Sequence, residues 1–232
     1  MSEKIEITTI VASAASVPGV KVNRDKFLSD EFSASKYNEI RNSIITLGPI
    51  NAGVPKEELK KLAKGAINFE TTKVTAISAV AGIPGGLAMI GTVPADLAQF
   101  YAHVLRIIQK IMYLYGWEDI GSMDEETKNL LLIFLGAMSG VDAASKAIAE
   151  LCKSAAAKAS KTIAAKALTK TTLYPIIKKI CAMLGVKLTK KVFAQGVAKC
   201  VPIIGAVVSG GITLATFKPM SNKLLKIIDE NS

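Results

Sequence analysis

The sequence predicts an all-α protein, a compact multi-helix bundle whose helices touch through small residues. Three observations predict it. Half of the 232 residues are apolar but only 6% are aromatic, and the apolar share is mostly Ala, Ile, Leu and Val, a composition that favours helices over sheets. No segment alternates apolar and polar residues as a half-buried strand would. Two uncharged runs, 22 residues from Val74 to Ala95 and 18 from Cys200 to Phe217, each place a proline near glycines, a pattern suited to close helix contact.

The elements follow in order. Residues 1–54 read as an N-terminal extension with short helices, and residues 55–232 as the main helical domain, the two forming one globular unit. Pro55 marks a helix start, Glu57 and Glu58 suit the positive end of the helix dipole, and lysines follow. This pattern predicts a helix from about Pro55 to Phe69. The first uncharged run is long enough to span a membrane. Pro84, Pro94 and its glycines instead predict a helix, a break and a second short helix.

The clearest helix is PADLAQFYAHVLRIIQKIMYLYGW. Thr92 can cap it and Pro94 can open it, with Asp96 in its first turn. Gly116 suits the residue just past its end, with Trp117 folding back. Asp96, Gln99, His103, Arg106 and Lys110 recur at spacings of three, four, three and four, one stripe of the helix beside an apolar face. The stripe has two readings: a buried polar track for an anionic head group, or a solvent or inter-helix face with ordinary intrahelical pairs. Ser122 and Glu125 have capping-box spacing before the next helix. That helix passes into an Ala/Lys helix on which Lys146, Lys153, Lys158 and Lys161 fall close to one face.

The net charge is +10 and is unevenly spread. Between Lys146 and Lys199 there are twelve lysines and one acid, Glu150. A block this one-sided implies an anionic partner, or a solvated face that keeps the chain soluble. Its cations are lysines with few aromatics among them, whereas base readout and strand stacking favour arginine and aromatic rings. Nucleic acid is therefore disfavoured, and an anionic membrane surface fits better. The candidate contacts are Lys146, Lys153, Lys158, Lys161 and Lys166. Three scattered cysteines carry no C-x-x-C pair, which suits reduced thiols in a cytosolic protein. The first residues carry acids and lack the apolar core of a signal peptide.

Enzyme chemistry finds little support. GIPGGLAMIG lacks both the phosphate-loop lysine and the dinucleotide glycine pattern. A single histidine and scattered cysteines make a metal site improbable, and no cofactor is expected. A triad would have to use His103, with Asp96 as its orienter, and no G-x-S-x-G elbow supplies a serine.

AGIPGGLAMIGTVPADLAQFYAHVLRIIQKIMYLYGW resembles the EcsC protein family, whose members carry a Gly/Ala-rich segment followed by a long helix opened by Pro and Asp and closed by Tyr-Gly. VPGVKVNRDKFL and VPIIGAVVSGGITLATFKPM look like the same family. The resemblance runs from Val17 to the last helix. A similar helix occurs in domains that accompany some membrane-associated GTPases. The family has no established reaction, and some members are encoded with ABC-transporter components, which implies work near a membrane. The matching positions are Gly85, Gly86, Pro94, Asp96, Tyr115 and Gly116. Their implied role is structural, as is that of Gly205 and Gly210 in the second small-residue run.

The expected function is therefore a non-enzymatic protein, cytoplasmic and peripheral to the inner membrane face. It would bind the anionic surface or a membrane protein such as a transporter. The rivals are a soluble bundle with an apolar pocket for a lipid, an enzyme using Asp96 and His103, and a protein that permeabilises membranes. The oligomeric state is not readable from the sequence.

Overall fold

The computed structural model describes residues 6–33, 36–81, 89–90, 93–154, 165, 168, 173–187 and 210–232, without side chains at 76–81, 89–90, 93–96, 154, 184–187 and 210–214. Among these residues the chain forms α1 (Ile7–Ala15), α2 (Arg24–Ser33), α3 (Arg41–Leu47), α4 (Lys56–Ala81), α5 (Ala95–Leu114), α6 (Glu125–Met138), α7 (Asp142–Ser154), α8 (Tyr174–Lys187) and α9 (Gly210–Asn231). The architecture is an all-α bundle. Among the described residues its one extended feature is a two-residue antiparallel pairing, with Met89 opposite Pro94 and Ile90 opposite Val93. This pairing stands where the sequence predicts part of a second short helix.

α5 is the centre of the bundle. It packs against α1, α2, α4, α6 and α9, and α4 lies along both α5 and α9. Between Leu97 and Tyr115 every side chain is buried except Gln99 and Arg106, which are half-buried. The polar stripe therefore lies largely inside the molecule, with His103 and Lys110 buried and Gln99 and Arg106 half-buried. The short helices of the N-terminal segment join the same core: Ile7, Ile10, Val11 and Ala14 of α1 are buried with Ile108, Phe134 and Ile228.

α5 ends as a left-handed turn at glycine requires. Gly116 has φ +81°. Its N–H donates to Tyr113 O (3.1 Å), and Trp117 N–H donates to Met112 O (3.0 Å). This is the Schellman bond pair, and it satisfies carbonyls that the helix end would leave open. Gly48, at φ +84°, ends α3 against it, so that a Cβ there would stand 3.3 Å from Gly116 Cα.

Two boundaries differ from expectation. α4 runs to Ala81, twelve residues beyond Phe69, because no proline or glycine interrupts residues 66–81 and the extension packs on α5. α6 is capped by Asp124, whose side chain accepts from Thr127 N–H at 2.8 Å. Ser122 instead donates its hydroxyl to Asp124 at 2.7 Å. A carboxylate is the better acceptor at the positive helix end, which moves the start two residues along.

The small-residue contact visible in the described part lies on α6. A Cβ at Gly136 would meet Ile180 Cδ1 at 2.7 Å and Ala144 Cβ at 3.2 Å, so α8 and α7 sit directly on its backbone. Gly85, Gly86, Gly205 and Thr92 lie outside the described residues, and Gly210 opens α9. No single described helix is long and apolar enough to cross a membrane. The pair Glu125–Met138 and Asp142–Lys153 is apolar enough in sum but bends by 117°. α6 itself is buried from Leu130 to Met138.

Replacing Gly116 by Ala forces a side chain into the left-handed region, at a cost of about 1 kcal/mol. We expect a lower urea midpoint for Gly116→Ala, followed through the fluorescence of Trp117, the sole tryptophan. An unchanged midpoint would show that the turn carries no strain.

Candidate functional site

The stripe on α5 has its counter-charge inside the molecule. Glu70 sits on the face of α4 that carries Leu59, Ala63, Ile67 and Val74, all buried, and is itself 0% exposed. Its carboxylate meets three α5 residues. His103 Nδ1 lies 2.7 Å from Oε2, Lys110 Nζ lies 2.7 Å from Oε1, and Arg106 Nε donates to Oε1 at 3.2 Å and Oε2 at 3.4 Å. Positions 103, 106 and 110 follow the helical repeat, so one face of α5 delivers all three to one point.

Burial alone would raise the Glu70 pKa. The hydrogen bond from His103 and the charges of Lys110 and Arg106 outweigh it and hold the group at about 2, against an ordinary value of 4.5. Glu70 is therefore a carboxylate with no proton to give. The proton between it and His103 must sit on Nδ1, which fixes the imidazole's orientation. The imidazole and the ammonium of Lys110 are 7% and 6% exposed by residue. Lys110 Nζ also stands 5.5 Å from the ring centre of Phe27 and 5.0 Å from that of Phe69, placing its charge over two aromatic faces.

The neighbouring residues hold the α1–α2 connection against this cluster. Arg106 donates an Nη1 hydrogen to Gly19 O. Gln109, fully buried, donates to Val20 O (3.0 Å) and Leu105 O (2.8 Å) and accepts from Val22 N–H (2.8 Å). A recess of about 460 Å³ opens between this connection, α4 and α5. Its polar lining is Lys73, Gln99, His103 and Arg106, and its apolar lining is Val17, Pro18, Val20 and Ala102 beside Gly19.

No family model, characterised protein or solved structure matches this chain. The site must be read from its own atoms.

Of the stripe, His103, Arg106 and Lys110 converge on Glu70, and Gln99 lines the recess. Asp96 lies in the first turn of α5, and its side chain is outside the described residues. His103 takes its orientation from Glu70. A carboxylate-held imidazole is the base-and-orienter part of a triad. The recess is lined by no Ser, Thr or Cys, so among the described residues no nucleophile completes it. No cluster of metal-ligating residues occurs among them either.

Of the lysine block, Lys146 and Lys153 are exposed on α7, and Lys158, Lys161 and Lys166 lie outside the described residues. Tyr115 is buried and donates its hydroxyl to Asp229 of α9 at 2.8 Å, and Lys60 of α4 pairs with the same carboxylate at 2.7 Å. Asp229 is held below its ordinary pKa: partial burial would raise it, but the bonds from Lys60 and Tyr115 prevail.

Glu70 and Gln109 escape a reading of α5 alone. The signal for Glu70 was an acid on the apolar register of α4, at spacings of four, three, four and four through residues 59, 63, 66, 70 and 74. It shows only when the helix is carried past Phe69.

A carboxylate whose pKa is lowered on folding stabilises the native state above its unfolded value and loses that contribution as pH falls through the native one. For Glu70 the window runs from 4.5 down to about 2, and the contribution at neutral pH is about 3 kcal/mol. Glu70→Gln should cost about 3–5 kcal/mol at pH 7 by stranding Lys110 and Arg106. The stability gap between wild type and variant should narrow as pH falls from 5 to 2, measured by urea unfolding. A gap constant with pH would refute the assigned ionisation.

Proposed function

We propose that the chain is a peripheral protein of the EcsC type that binds an anionic membrane face, on the cytoplasmic side, through a lysine-rich surface. The observation that carries this reading is the outer face of α8. Tyr174, Lys178, Lys179 and Met183 are exposed on it, while Ile177 and Ile180 are buried on the opposite side. Tyr174 is 50% exposed and Met183 39%, among the most exposed large apolar residues described, and Leu168 just before the helix is 36% exposed. Lys178 Nζ lies 4.8 Å from the ring centre of Tyr174. The helix sequence contains no acid.

Apolar and aromatic tips interleaved with lysines are what an interfacial helix needs. The rings and methionine enter the acyl boundary while the ammonium groups remain among the head groups. Each lysine near an anionic surface is worth about 1 kcal/mol, lost as salt rises. Lys146 and Lys153 on α7 add to the same sign of charge. A membrane-protein partner with an acidic surface is the outcome left if the lipid test fails.

In vesicle flotation we expect binding to vesicles rich in phosphatidylserine, weak binding to neutral phosphatidylcholine, and release by salt. Lys178→Glu with Lys179→Glu should abolish most of it with the fold intact. Equal flotation on both vesicle types, or none on either, would sink the electrostatic reading.

A further inference from the structure

Glu70 takes Arg106 and Lys110 directly, with His103 beside them, and Glu31 of α2 acts on Lys110 through space. Lys73 adds a third cation at the recess, with its ammonium 4.5 Å from the ring centre of Phe69 and no carboxylate partner among the described residues. Every charged or polar side chain described in the lining of the recess can donate a hydrogen bond, and no carboxylate is among the described lining residues. Arg106 spends Nε on Glu70 and Nη1 on Gly19 O. Its Nη2 has no partner among the described residues.

We infer that this recess binds a phosphate ester, with the phosphate held by Arg106, Lys73 and Gln99 beside His103. A guanidinium already fixed at two of its nitrogens presents the third at little entropic cost, and its planar fork suits phosphate oxygens. At about 460 Å³ the recess is within the size range of small-ligand sites and larger than a bare phosphate needs. Its apolar wall, Val17, Pro18 and Val20, takes the organic part of the ester. The phosphate belongs either to a soluble ester or to a lipid head group; the chemistry at Arg106 and Lys73 is the same. This site shares no residue with α8 and stands independently of the membrane-face reading.

The chain has a single histidine, His103, and a single tryptophan, Trp117. The imidazole resonances therefore report the recess, and the indole fluorescence reports folding. We would titrate ¹⁵N-labelled protein with inorganic phosphate and with glycerol 3-phosphate at constant ionic strength, using chloride as control. A saturable shift of the His103 signals beyond the chloride effect is expected, tighter for glycerol 3-phosphate. Lys73→Glu and Gln99→Glu should each weaken it about tenfold or more while Trp117 fluorescence stays native. Absence of a saturable shift, or the same affinity in both variants, overturns the site. Vesicles containing phosphatidic acid separate the sources. Flotation lost in Lys73→Glu but kept in Lys64→Glu, an equal change of charge at an exposed position outside the recess, together with the soluble-ester shift, marks a lipid head group. A soluble-ester shift with flotation untouched by Lys73→Glu marks a free ester.

Discussion

Glu70 sits out of water between α4 and α5 and gathers three nitrogen-bearing side chains of α5 around its two oxygens. Removing a carboxylate from water is costly, and only donors at hydrogen-bond distance offset the cost. His103, Arg106 and Lys110 meet that requirement in one relative register of the two helices. A slide of α4 by one turn, about 5.4 Å, would strand one carboxylate and two cations in the core. The same residues carry the constraint outward. Arg106 reaches Gly19, and Gln109 on the next turn holds both sides of the Val20–Val22 strand of chain, so the N-terminal helices inherit their position from the cluster.

α5 is buried along most of its length, so the polar groups it buries need internal partners. This requirement explains a second set of ties at its C-terminal end. Tyr115 reaches Asp229, which Lys60 also holds, joining the last turn of α9 to the first of α4. Buried Arg24 donates Nε to Trp117 O (3.0 Å) and Nη1 to Ile45 O (2.6 Å), fastening α2 and α3 to the chain that leaves α5. The glycine turn at Gly116 makes this possible, since its tight reversal aims the Trp117 carbonyl at Arg24 and lets Gly48 approach. α5 is thus an apolar rod with polar knots at its middle and its end, each knot binding elements distant in sequence.

The all-α class and the stop of α5 at Gly116 were legible because they rest on local chemistry: composition, an absent alternation, and a glycine just past a periodic run. The meaning of the polar stripe was not. Spacings of three and four place residues on one face of a helix, but they do not say whether water or another helix covers that face. The answer depended on Glu70, 33 residues before His103, and a helix ended at Phe69 hides it. The cap at Asp124 shows the same limit on a smaller scale. Ser122 and Asp124 both carry capping side chains, and only the path of the preceding loop, with Ile120 accepting from Thr127, decides between them.

The inter-helix reading fits the deep end of the stripe, and the proposed anion site lies at its shallow end. Lys110 lies deepest and is spent on Glu70 and on the rings of Phe27 and Phe69. Arg106 is half-buried, divided between Glu70, Gly19 and the recess. Gln99 stands two turns nearer the helix start with no share in the ion cluster. In the proposed site an incoming anion would meet Gln99 and then Arg106, with Glu70 standing between it and Lys110. The buried carboxylate thereby has two effects: it fixes the helix pair, and it limits how deep a second anion can go. A phosphate ester bound there would keep its phosphate at the mouth, on Arg106, Lys73 and Gln99, and lay its organic part on the apolar α1–α2 connection, while the Glu70 cluster fixes the register of α4 and α5 whether or not the site is filled.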